Sequence, residues 1–232
     1  LLYGWGSNIN DVFPETPERQ ITTPISLSLI GPVKQFSGGY AHGCVIDASD
    51  DVICWGNNGV GQAGLYQGSN YAMPAVVPLP NTPVHISSGN SHNCVALTSG
   101  EVYCWGHNSY GEMGSSSAPV VVRTPTRAGA LNDAVEVAAA NDFTCARHAS
   151  GQVSCWGRNN DGQLGRGHTD TSTTIETISG LTNITQISAG PQHVCALDQS
   201  HKIFCWGRND NGAIVQGAPS RVLPPYEVSY SF

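Results

Sequence analysis

The chain has 232 residues, 40% hydrophobic and only 12% charged, with 27 glycines, against a typical charge content of about 25% and glycine content of about 7%. That length can bury a sizeable core, which excludes a miniprotein held by disulfides alone, and the composition excludes a coiled coil or a disordered chain. Ten Lys and Arg against seventeen Asp and Glu leave a net charge of −7, which argues against nucleic acid as a partner, because neutralising phosphates supplies most of that affinity.

No apolar run reaches the roughly 20 residues of a membrane span, so no membrane insertion is expected. A chain that starts at Leu1 rather than Met reads as a processed or excised form. In chain order, Trp-Gly recurs at Trp5, Trp55, Trp105, Trp156 and Trp206, at spacings of 50, 50, 51 and 50 residues, the mark of one repeated structural unit. The amino-terminal stretch Leu1 to Gly6 is the later part of a unit, with Gly4 where the others carry a second Cys. Four full units follow, at about 32–81, 82–132, 133–183 and 184–226. Each opens with a β-rich stretch such as Val84-His85-Ile86-Ser87, followed by Gly-x-x-His-x-Cys, a short gap, Cys-Trp-Gly-x-Asn and a Gly-rich turn such as Gly162-Gln163-Leu164-Gly165. Gly, Asn, Pro and Ser punctuate the chain and no useful 3.6-residue periodicity occurs, so the class is all-β.

The eight Cys fall into four pairs ten residues apart: Cys44 with Cys54, Cys94 with Cys104, Cys145 with Cys155, and Cys195 with Cys205. If each pair faces across an antiparallel hairpin, the register leaves three-residue loops at 48–50, 98–100, 149–151 and 199–201, whose third position favours left-handed Gly. Gly100 and Gly151 meet that demand, while Asp50 and His201 carry strain there. Directly opposed strand residues are close enough for a disulfide. The competing reading is a metal site in which His42, His92 and His193 join the Cys. Phe143 in the third unit, where both Cys persist, argues against it. Disulfides without a leftover thiol imply an oxidising, extracellular compartment.

These residues resemble the repeat family named for the regulator of chromosome condensation, most clearly at Gly190 to Leu197 and Cys155 to Gly165, and recognisably at 39–64 and 89–114. Paired Cys in both motif halves resemble its secreted, bacterial-type branch. The resemblance implies a β-propeller with about fifty residues per blade. Its members are usually seven-bladed and include guanine-nucleotide exchange factors, a β-lactamase inhibitor and many secreted proteins. Here one domain over 1–232 is expected to be five-bladed, with 1–31 and 227–232 sharing a closing blade; the alternative is an open or incomplete part of a larger propeller.

The recurring His, at one place in three of the four units, read as structural, and the five Trp as packing between neighbouring sheets. Asn57, Asn108, Asn159 and Asn209 suit side-chain capping of the Gly-rich turns. The Asn159 to Gly162 and Asn209 to Gly212 stretches lack the spaced Glu of a calcium loop, so neither metal nor any other cofactor is expected, and no catalytic motif is visible. Function is expected on the loops that differ between units. They are 39–41, 89–91, 140–142 and 190–192 before each first Cys, and a second set at Val60, Tyr110, Asp161 and Asn211 after Trp-Gly. Tyr40, Asn90, Asp142, Gln192 and Tyr110 are the candidate ligand-binding residues. The expected function is non-enzymatic recognition of a protein partner, by adhesion or inhibition, with a glycan-binding lectin as the second reading and an enzyme assembled from loops as the third. Asn183-Ile184-Thr185 is a glycosylation sequon, meaningful in a eukaryotic source.

Overall fold

The computed structural model describes residues 2–8, 12–65, 70–210, 212–217 and 219–229. Their regular structure is eighteen strands and a single 3-10 turn, Ser28–Ile30. β1 (Tyr3–Ser7) and β2 (Gln20–Ser26) form a two-stranded sheet. Four four-stranded sheets follow in simple meander order: β3 (Val33–Gly38) to β4 (His42–Asp47), β5 (Val52–Asn57) and β6 (Tyr71–Val77); then β7 (Pro83–Ser88), β8 (His92–Leu97), β9 (Val102–His107) and β10 (Val121–Arg127). The third runs β11 (Ala134–Ala139), β12 (Phe143–His148), β13 (Val153–Gly157) and β14 (Ser172–Thr177), and the fourth β15 (Ile184–Ala189), β16 (His193–Asp198), β17 (Ile203–Arg208) and β18 (Arg221–Val228). These are the blades of a β-propeller.

The hairpin register follows the Cys spacing. Cys44 opposes Cys54, Val45 opposes Ile53 and Ile46 opposes Val52, and the other three units repeat this alignment. All four disulfides are formed, with Cα separations of 4.1 to 4.2 Å. The third loop residue is left-handed in each unit: φ is 68° at Asp50, 77° at Gly100, 79° at Gly151 and 63° at His201.

Alternation along β5, β9, β13 and β17 puts Cys on one face and Trp on the other. The Cys face meets the following blade, where Cys44 and His42 approach Asn93. The Trp face meets the preceding one, and each indole N–H donates to a backbone carbonyl there: Trp55 to Val12, Trp105 to Gln62, Trp156 to Glu112 and Trp206 to Gln163. Those four Trp are buried. Trp5 departs from the expectation of five packed Trp: it is 62% exposed, because no described blade precedes its sheet.

The first strands β3, β7, β11 and β15 lie side by side, joined by a ladder in which one blade's side chain accepts from the next blade's backbone. Ile86 N–H donates to Gln35 Oε1 (3.0 Å), Val137 to His85 Nδ1 (3.4 Å) and Ile187 to Glu136 Oε1 (3.2 Å). Ser37 and Ser87 accept in the same way from Ser88 and Ala139. Gln186 and Ser188 hold the corresponding places in the fourth blade and are exposed.

The carboxyl-terminal expectation needs correcting. Glu227 and Val228 do not enter the β1–β2 sheet but pair with Phe204 and Ile203 in the fourth. They complete β18 as Val76 and Val77 complete β6, which pairs with Ile53 and Val52 at the equivalent places of the first blade. Residues 230–232 of that expectation lie outside the described residues, as does Asn211 of the variable loops.

Candidate binding surface at the loop end

The turn after each Trp-Gly is built around one buried Asn. Its Oδ1 accepts from the backbone N–H five residues on: Asn8 from Phe13 (2.7 Å), Asn58 from Ala63 (3.1 Å), Asn108 from Met113 (3.0 Å), Asn159 from Leu164 (2.9 Å) and Asn209 from Ile214 (2.8 Å). In the first full unit this is Asn58, not the expected Asn57, which instead accepts from Gly59 N–H and from the Gln62 amide. The third residue after Trp spans the whole turn, while Asn57, the second, caps only its opening. Asn8 in the incomplete unit was missed, although Trp5-Gly6-Ser7-Asn8 carries the same spacing.

His42 and His92 are buried, and each uses one ring nitrogen across the blade seam, Nε2 to Asn93 Oδ1 (2.9 Å) and Nε2 to Thr144 Oγ1 (3.0 Å). Each packs beneath a loop glycine: a Cβ on Gly39 would lie 2.1 Å from His42 Cε1, and one on Gly89 would lie 2.7 Å from His92 Cε1. The third unit has Ala140 and Phe143 in these two places. Burial pushes the imidazoles down, His42 to about 4 and His92 to about 3, the latter also repelled by His42 and His107. His193 is lowered by the same cause. These groups are neutral scaffold at neutral pH.

The loops before the first Cys converge at one end of the propeller. They bond to one another, Tyr40 N–H to the Asn90 carbonyl (3.4 Å) and Asn90 N–H to that of Ala140 (3.0 Å), and enclose a shallow cavity of about 250 Å³ whose rim includes Tyr40, Asn90, Asn141 and Pro191. Tyr40 is 83% exposed. Of the expected binding residues, Tyr40 and Asn90 meet here. Asp142 and Gln192 are each one residue beyond the rim positions Asn141 and Pro191. Asp142 pairs with Arg158 (3.0 Å), and Gln192 accepts from Arg208. Tyr110 belongs with Asp142 rather than with the rim, because the Arg158 guanidinium lies 5.3 Å from its ring centre.

Sequential meander blades with loops gathered at one end define a β-propeller, a fold that by itself assigns those loops no function. The Regulator of chromosome condensation (RCC1) repeat matches the chain at residues 49–96, 99–147 and 150–197, and a second form of that repeat at 33–62, 84–112, 134–163 and 184–213. The chain belongs to this family. Among solved structures, human WBSCR16 is similar with a TM-score of 0.82 at 22% identity, over 98% of this chain and 61% of that one. Yeast RCC1 (Prp20), in a structure with Kap60 bound, gives 0.83 at 20% identity, over 99% of this chain and 58% of that one. Prp20p from Saccharomyces cerevisiae, described with its binding properties to Gsp1p and histones, gives 0.82 at 21%, over 99% and 59%. The chain therefore spans about three fifths of the length of these propellers. No curated protein matches it by sequence.

Proposed function

We propose that the chain is a secreted recognition module, without catalysis, that binds a protein partner across the loop-ringed end centred on Tyr40. The observation that carries this reading is the exposed Tyr40 ring at the rim of a cavity built from four dissimilar loops. An exposed aromatic beside a concave, partly polar surface is the usual anchor of a protein interface. The rim positions carry Tyr40, Asn90, Asn141 and Pro191, alike only in the second and third units, which suits one composite surface better than the repeated equal pockets of a multivalent lectin. Yeast RCC1 with Kap60 supplies a precedent for protein recognition on this fold, at the level of fold alone. The four disulfides support an oxidising, extracellular location.

The test pairs a glycan array, run on the oxidised protein with and without calcium, with affinity capture from the native source using the wild type and Tyr40→Ala. A blank array and a protein retained by the wild type but lost with Tyr40→Ala are expected. A reproducible glycan hit, or capture indifferent to Tyr40, overturns the proposal in favour of a lectin or of another surface.

A further inference from the structure

On the seam between the blades β7–β10 and β11–β14, three substitutions coincide that occur in no other repeat. The first full unit has Asn57 and Gln62, whose side chains bond directly (2.8 Å), with Ser91 facing from the next unit. At the equivalent places the second seam has His107, Glu112 and Asp142, and the third has Arg158, Gln163 and Gln192. An amide pair that satisfied itself has become three electron-pair donors.

One ligand atom from each of His107, Glu112 and Asp142 can be chosen so that all three lie within 4.8 Å of one another. The Glu112 side chain is fully buried. Its Oε2 accepts from Tyr110 N–H (2.9 Å), while Oε1 has no hydrogen-bond partner and stands 3.4 Å from His107 Nδ1. His107 Nε2 is 2.8 Å from Ser109 Oγ. When Nε2–H donates there, the lone pair of Nδ1 turns toward Glu112, the outer-shell arrangement that orients a metal-ligating histidine. Arg158 holds Asp142 through Oδ2 (3.0 Å). A buried carboxylate oxygen without a donor is unfavourable until a proton or a cation compensates it. His107 is partly open to water, which leaves room for a further ligand.

We propose that His107, Glu112 and Asp142 bind one divalent transition-metal ion of the zinc class, clamping this seam. Imidazole nitrogen and carboxylate oxygen are both zinc ligands, three of them leave the fourth position open, and the imidazole disfavours calcium. The charges fit: two carboxylates and Arg158 sum to −1, so a divalent ion brings the cluster to +1 rather than leaving a buried anion uncompensated.

The test is calorimetric titration of ZnCl2 into the untagged, oxidised, chelator-treated chain, with Co2+ absorption to report the ligand set. One equivalent per chain is expected. The double variant His107→Asn with Glu112→Gln transplants the pair that the first blade already folds with, and should weaken zinc by at least about 100-fold, the upper end of what removing even an outer-shell partner does. Asp142→Asn is the second variant and should also weaken it, independently of whether the double variant folds. No zinc uptake by the wild type, or uptake with unchanged affinity in either folded variant, overturns the proposal.

Discussion

Each buried Asn of the Gly-rich turns carries several backbone groups at once. Asn108 accepts from Met113 N–H and donates to the carbonyls of Ala118 and Pro119. Asn108→Ala strands those groups and should cost about 2 to 3 kcal/mol, measurable by urea denaturation. The buried His give an acid dependence of definite direction. Their folded values of about 4 and 3 lie below the ordinary 6.5 of the unfolded chain, so below pH 6.5 the unfolded state binds more protons and stability falls as pH drops toward 3. Melting temperature should therefore decline from pH 6.5 to 4, and decline less in the His42→Gln, His92→Gln double variant; parallel curves would show that these residues play no part. Sequence alone placed the His correctly, because residues recurring at one place in separate blades cannot converge on one substrate. It named Asn57 but not its neighbour Asn58, and both cap the turn, Asn57 at Gly59 N–H and Asn58 at Ala63 N–H.

Within a hairpin the covalent and conformational constraints act together. Replacing Cys94 and Cys104 by Ala should cost about 2 to 3 kcal/mol, as expected for closing a loop of this size, with the other three bridges intact by mass. The loop glycines differ in what surrounds them. A Cβ at Gly100 would lie 2.2 Å from the Asn132 carbonyl oxygen, so Gly100→Ala adds a clash to left-handed strain. His201 already bears that strain with φ 63°, so His201→Gly should raise stability by up to about 1 kcal/mol. Thermal melts of the two variants should shift in opposite directions. The register was legible because a ten-residue Cys spacing admits one symmetric hairpin with a three-residue loop. The zinc-class cluster was not, since its members come from three separate positions that only blade packing unites.

At the scale of the whole molecule, blades adhere through the Trp faces and through the ladder along the first strands. Glu136 serves both its own blade, by pairing with Arg147 (2.6 Å), and the next, by accepting from Ile187 N–H. Glu136→Ala leaves a buried N–H and an unpaired guanidinium, and should cost about 2 to 4 kcal/mol. Native-state hydrogen exchange should show the loss concentrated at β11 and β15. The repeat made the blades legible from Trp and Cys spacing alone. The end of the last strand was not, because alternation in residues 221–228 fits an outer strand of one blade as well as the start of another.

Eight thiols can join in 105 ways, yet every bridge here links residues ten apart. A loop of that size closes in roughly 10 to 100 ns, far sooner than a chain emerging from a ribosome or a translocation pore delivers the next pair, since Cys94 follows Cys54 by forty residues. Oxidation itself takes seconds to hours, but each thiol meets its partner ten residues away more often than a distant one, so oxidation of the reduced chain should reach the native pairing without help from an isomerase.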